Sequence, residues 1–123
     1  MKYTHYAPKG ELTIVACSDE LQPGDRRVIE KINYMTEEHK RQGARVGVLA
    51  TSQNAASYQA DEIIVLGEKE DALMISANLY RALRDFDEWG VDIIYSESFQ
   101  NVGLGAAIMN RLMKAAGHRI IYV

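Results

Sequence analysis

Only one cysteine, Cys17, occurs in the 123 residues, so no internal disulfide staples the chain and no multi-cysteine zinc site can form. A reducing compartment fits that usage. Histidine is scarce too. His5, His39 and His118 fall in an N-terminal arm, a polar helix end and the start of a late strand, a scatter that suits surface positions better than a metal site. Excess positive charge is missing, the formal net charge being -3, which argues against a dedicated nucleic-acid module with its basic face. No apolar run approaches the roughly 20 residues that span a bilayer, and the first eight residues lack a signal peptide's apolar core. The expected location is therefore the cytoplasm, with no direct nucleic-acid partner and no membrane. Two nucleotide fingerprints are absent as well. The first apolar run leads into Cys17-Ser18-Asp19-Glu20 rather than a GxGxxG turn, and no Walker-type lysine motif occurs, so neither a tightly held NAD nor a P-loop nucleotide is expected. No intrinsic cofactor or metal is assigned.

What is present is regular. Hydrophobic residues make up 47% and charged ones 25%, ordinary for a globular chain that buries one core. Residues 1–10 carry no periodic pattern and form an arm, extended ahead of Pro8 because the residue before a proline disfavours helix. The domain proper spans 11–123. Leu12 to Ala16 is a short β-branched run, followed by polar residues and the turn Gln22-Pro23-Gly24-Asp25. Val28, Ile29, Ile32 and Met35 then recur at helical spacing until Gly43 stops the pattern. Strands are expected over 45–50 and 62–66, separated by Thr51-Ser52-Gln53-Asn54 and one helical turn within 55–60. Ala72, Ile75, Leu79, Ala82, Leu83 and Phe86 share the face of a long helix, whose first turn is expected to carry acidic residues that suit the helix dipole. A fourth strand covers Val91 to Tyr95, and Leu104, Ile108, Leu112 and Ala115 mark the buried face of a third helix. Residues 119–122 make a fifth strand. Short apolar strands separated by helices imply an α/β fold, a three-layer Rossmann-like domain with a five-stranded, mainly parallel sheet. The expected strand order is 3-2-1-4-5, with its switch point between the first and fourth strands.

In such a sheet a ligand belongs in the crevice at the carboxyl ends of the strands. That places Ser18 beside Ser96 and Ser98, with Thr51 and Ser52 one strand away. Gly103 and Gly105 open the third helix, where backbone amides can approach an anion closely. The same GxG arises wherever a strand turns tightly into a helix, so turn geometry and ligand cradle both stay open. Asn110 and Arg111 lie on another arc of that helix and join the candidate ligand-binding set. Ser96-Glu97-Ser98 is not assigned as a nucleophile and acid, because neighbouring strand residues point to opposite faces. No catalytic residue emerges. A stand-alone nucleotide or small-molecule-binding module, with at most weak ATPase activity, is one functional expectation.

Two stretches narrow this. The arm Lys2-Tyr3-Thr4-His5-Tyr6-Ala7-Pro8 resembles the KYxHYxP linker of the long, two-domain L-threonylcarbamoyladenylate synthases. Residues 103–116, GLGAAIMNRLMKAA, resemble the GLGxAxMNRLxKAA signature of that family's C-terminal (SUA-type) domain, and Leu79 to Asp87 resembles its LxxxLRxxD helix. The resemblance implies an accessory, regulatory domain of an enzyme that makes threonylcarbamoyl-AMP from ATP, threonine and bicarbonate for tRNA threonylcarbamoyladenosine modification. ATP, with Mg, would belong to a YrdC-type catalytic domain, a nucleotidyltransferase that this sequence lacks. It further implies that Lys2, Tyr3, His5, Tyr6 and Pro8 dock against that partner's cleft and its nucleotide.

Overall fold

Two burial patterns separate the elements. β2 (Val46–Thr51) is buried at every position, as a parallel strand covered on both faces must be. β1 (Glu11–Ala16), β3 (Glu62–Gly67), β4 (Ile93–Glu97) and the short β5 (Ile120–Tyr122) complete the sheet. α1 (Asp25–Arg41), α2 (Ala72–Glu88) and α3 (Leu104–Ala115) alternate with the strands, and one 3-10 turn occupies Ala55–Ser57. The computed structural model describes residues 7–18, 25–100 and 102–123, Asp25 by its backbone alone. The turn expected at Gln22-Pro23-Gly24 and the arm residues Lys2, Tyr3, His5 and Tyr6 lie outside the described residues.

The helix ends follow local chemistry. α1 closes on the basic residues His39, Lys40 and Arg41, which suit the negative end of its dipole, and Gly43 takes a φ of 85° just beyond. α2 has no acidic residue in its first turn. The expected carboxylates sit ahead of it instead, where the Asp71 side chain accepts from the amide of Met74 at 3.1 Å and caps the helix.

Each strand pair is parallel, and the order is β3-β2-β4-β1-β5. The five-stranded parallel α/β architecture is as the sequence implies, but the expected order 3-2-1-4-5 is corrected: β4 lies between β1 and β2. Apolar patterning cannot separate these arrangements, since both strands carry apolar residues on both sides. The connection from β1 to β2, which contains the 17-residue α1, is long enough to step over a strand. The chain thus moves outward from β1 through β2 to β3 with α1 and the 3-10 turn on one face, and returns through β4 to β5 with α2 and α3 on the other. A uniform crossover hand requires that division.

Two cores result. Val15, Val28, Ile32, Val46, Val48, Tyr58 and Tyr95 pack beneath α1. Leu12, Ile14, Leu49, Leu79, Phe86, Ile108 and Leu112 pack beneath α2 and α3. Leu104, counted in the buried face by spacing, is 42% exposed, because the helix begins there and Gly105 takes the inward position. Gly47 interrupts the apolar side chains of β2 for a steric reason. A Cβ there would stand 2.8 Å from the Phe86 ring, so the missing side chain is the space the ring fills. Phe86 is fully buried, and Phe86→Ala is expected to cost about 3–5 kcal/mol, measured as a shift in the urea unfolding midpoint at unchanged slope.

Candidate functional site

The corrected order brings β2 and β4 side by side and decides what meets at the carboxyl ends of the strands. Glu97, the last residue of β4, is 3% exposed. Its carboxylate accepts from the Thr51 amide at 2.9 Å and the Thr51 hydroxyl at 3.1 Å. It also accepts from the Asn54 side-chain amide at 2.9 Å, and Asn54 opens the 3-10 turn. Three donors converge on one buried carboxylate. That is the pairing a buried charge needs, and it bolts the end of β2 and the following turn onto β4. Sequence reasoning named Thr51 but missed Glu97 and Asn54 as its partners. The available signal was a carboxylate two residues beyond the apolar run that ends at Tyr95.

The other candidate residues are not brought to one point. Ser18 donates from both its amide and its hydroxyl to the Val123 carbonyl, at 3.1 and 3.0 Å, on the β5 side of β1. The exposed Ser52 donates its amide to Gly67 O at 2.9 Å, toward β3. Ser96 is fully buried and its hydroxyl donates to the Glu97 carbonyl at 2.8 Å. Ser98, half-buried, follows the end of β4. Asn110 and Arg111 sit farther along α3 on its exposed side, and Arg111 Nη1 donates to the hydroxyl of Ser76 on α2 at 3.4 Å.

At the start of α3, turn geometry accounts for both glycines. Gly103 adopts φ 57°, which favours glycine, and a Cβ on Gly105 would collide with the Gln100 carbonyl. The amides of Gly105 and Ala106 donate to Val102 O and Gly103 O at 3.0 and 3.1 Å. These two amides are thus bonded within the turn itself.

A cavity of about 250 Å³ opens beside this loop, on the α2 and α3 face, with Ala72, Ile75, Phe99, Val102 and Ile108 among its walls and Lys69 and Glu70 at the β3–α2 loop. Of the sequence-nominated residues it includes Gly105 alone. Its apolar wall could not be read from sequence as a site, since Ile75 and Ile108 belong to the buried faces of α2 and α3.

Among the described residues, the clearly shifted titratable group is Tyr95. Burial, and secondarily the negative charge of Glu11, pushes the Tyr95 hydroxyl from 10.0 up to about 12, so it stays neutral at physiological pH. His39 lies with its ring 6.1 Å from that of Tyr95. Cys17 is half-buried and packs against the α1-side cluster. Among the described residues no group of three His, Cys, Asp or Glu side chains could hold a metal ion, and no helix is long and apolar enough to cross a membrane.

The arm's root lies at the opposite end of the sheet. Pro8 is half-buried, and the Lys9 amide donates to Asp87 Oδ1 at 2.8 Å. Nearby, the Asp92 carboxylate accepts from the Arg45 amide and that of Asp61 from the Val46 amide, each at 2.8 Å. Carboxylates therefore satisfy main-chain donors where strands begin. The Glu97 cluster and the arm's root sit at the two ends of the six-residue β1 and its neighbour.

Replacing Glu97 with Ala leaves three donors without their acceptor, and replacing it with Gln sets an NH₂ group against one of them. We expect losses of about 2–4 kcal/mol for Glu97→Ala and about 1–3 kcal/mol for Glu97→Gln, read by denaturant unfolding.

A family model described as "Threonylcarbamoyl-AMP synthase, C-terminal domain" matches residues 1–117. The threonylcarbamoyl-AMP synthase of Bacillus subtilis (strain 168) is 46% identical over 121 residues, covering 98% of this chain and 32% of that protein. Among solved structures, Pyrococcus abyssi Sua5 complexed with L-threonine matches with a TM-score of 0.82 at 41% identity, over 100% of this chain and 33% of that one. The C-terminal Sua5 domain of a Pyrococcus horikoshii hypothetical Sua5 protein matches with a TM-score of 0.72 at 34% identity, over 95% of this chain and 100% of that one. The chain thus spans about a third of the length of the full-length relatives it matches.

Proposed function

The chain belongs to the family of threonylcarbamoyl-AMP synthase C-terminal domains, and from that premise we propose that it is a non-catalytic accessory domain that mounts an arm over a neighbouring active site. The enzyme so completed would carry a YrdC-type catalytic domain as covalent partner. It would form threonylcarbamoyl-AMP from ATP, threonine and bicarbonate, with Mg-bound ATP held by that catalytic domain. Its product would serve modification of a tRNA adenosine, which places the work in the cytoplasm. The observation that carries this reading is the match of nearly the whole chain to about a third of each full-length relative.

In this reading Lys2, Tyr3, His5, Tyr6 and Pro8 dock on the partner's cleft. An acyl-adenylate is prone to hydrolysis, and aromatic side chains laid across its pocket exclude water and hold the nucleotide in place. The test is to join the catalytic domain ahead of residue 1 and replace Tyr3, His5 and Tyr6 together with Ala. Adenylate formation is expected to fall about ten- to a hundredfold, or its hydrolysis to rise by as much. Unchanged formation and unchanged hydrolysis remove the reading.

A second reading is favoured by the cavity of about 250 Å³: a module that binds a small molecule, with an apolar body against Ile75, Phe99 and Ile108 and a polar end near Lys69 and Glu70. The strand-end set Ser18, Thr51, Ser52, Ser96, Ser98, Gly103, Gly105, Asn110 and Arg111 would contribute only where it borders that space. Calorimetry of this chain with ATP, AMP and threonine separates the readings. A binding module gives saturable heat that Ala72→Phe, which fills the cavity, abolishes; no heat at millimolar ligand excludes all three.

A further inference from the structure

We propose that Asp87 and Gly10 are positioning residues of the arm, fixing the direction in which the chain ahead of Pro8 leaves the domain; this rests on the arm reading above. The path begins in the core. Phe86 is fully buried, and the turn that ends α2 is closed around it by Trp89 N to Asp85 O at 2.9 Å, Gly90 N to Asp87 O at 3.2 Å and Val91 N to Phe86 O at 3.0 Å. Asp87 therefore stands on a backbone held by the largest fully buried side chain among the described residues. Its carboxylate reaches 78 residues back along the chain to accept from the Lys9 amide.

The next residue fits only as glycine. Gly10 is buried, and a Cβ there would stand 2.6 Å from Val91 O and 3.1 Å from Asp92 O, backbone atoms that cannot swing aside. The Glu11 amide then donates to Asp92 O at 2.9 Å and the β1–β4 ladder begins. Three successive residues, Lys9, Gly10 and Glu11, are thus held against the turn between α2 and β4. Pro8 restricts its own φ and biases Ala7 toward extended backbone. A tether of fixed exit direction concentrates its far end in a narrow volume, whereas a loose one dilutes it. The contacts at the root set how much of the time the arm lies where it docks.

The discriminating pair is Asp87→Ala and Asp87→Asn, because an Asn Oδ1 still accepts from the Lys9 amide. In this chain, exchange of the Lys9 amide proton should run about three- to tenfold faster in Asp87→Ala and at the native rate in Asp87→Asn, with little change in thermal midpoint. In the two-domain synthase, Asp87→Ala should raise KM for ATP about three- to tenfold with kcat little altered, Asp87→Asn should restore it, and Gly10→Ala should resemble Asp87→Ala. Equal Lys9 exchange in native protein and Asp87→Ala, an unmoved KM, or an Asn variant that behaves like Ala overturns the proposal. If Ala at Tyr3, His5 and Tyr6 impairs the enzyme while Asp87→Ala does not, only this inference falls. If neither set has an effect, the arm reading falls with it.

Discussion

The buried carboxylate of Glu97 is the constraint on which the arrangement of the sheet turns. A charged group that is 3% exposed is tolerable only if its lone pairs are met, and the donors that meet them come from Thr51 and Asn54. Those donors are within reach only when β4 is the direct neighbour of β2. A sheet that put β1 between the two would separate the carboxylate from its partners. The cluster therefore does for strand order what apolar packing cannot, since Val15, Val48 and Tyr95 pack in one core without specifying which strands touch.

The two ends of the sheet serve different purposes. At the carboxyl ends, polar side chains are spent on Glu97, on the Val123 carbonyl and on local turns, while a cavity of mixed polar and apolar lining opens on the α2 and α3 side. At the amino ends, Asp61, Asp87 and Asp92 each receive a main-chain amide. The arm is rooted at this second end. Main-chain amides at this end are thus held by side-chain carboxylates, which fixes the backbone from Lys9 onward.

Much of the fold was legible in the residues. The heptad-like recurrence of Ile75, Leu79, Ala82 and Phe86 located α2, and Gly43 marked where α1 stops. Strand order was not legible, because β1 and β4 present similar apolar patterns and only a long-range polar contact distinguishes them. The candidate site was legible in part. Thr51 was rightly placed at a strand end, but its partners come from Glu97, 46 residues later in the chain. Asn110 and Arg111 lie on the exposed side of α3, where Arg111 donates to the Ser76 hydroxyl of α2. The role proposed for the arm rests on resemblance, since residues 1–6 carry no periodicity from which a conformation follows.

The placement of β4 has a consequence for how such a chain is made. Glu11 pairs with Ile93, and Thr13 with Tyr95, so β1 finds β4 only after the long stretch of chain between Ala16 and Ile93 has been made. Closing so wide a loop is an entropic delay before any reward, and during elongation the first strand waits with its edges unpaired. A segment at the front of the domain thus acquires its foothold only once β4 has emerged.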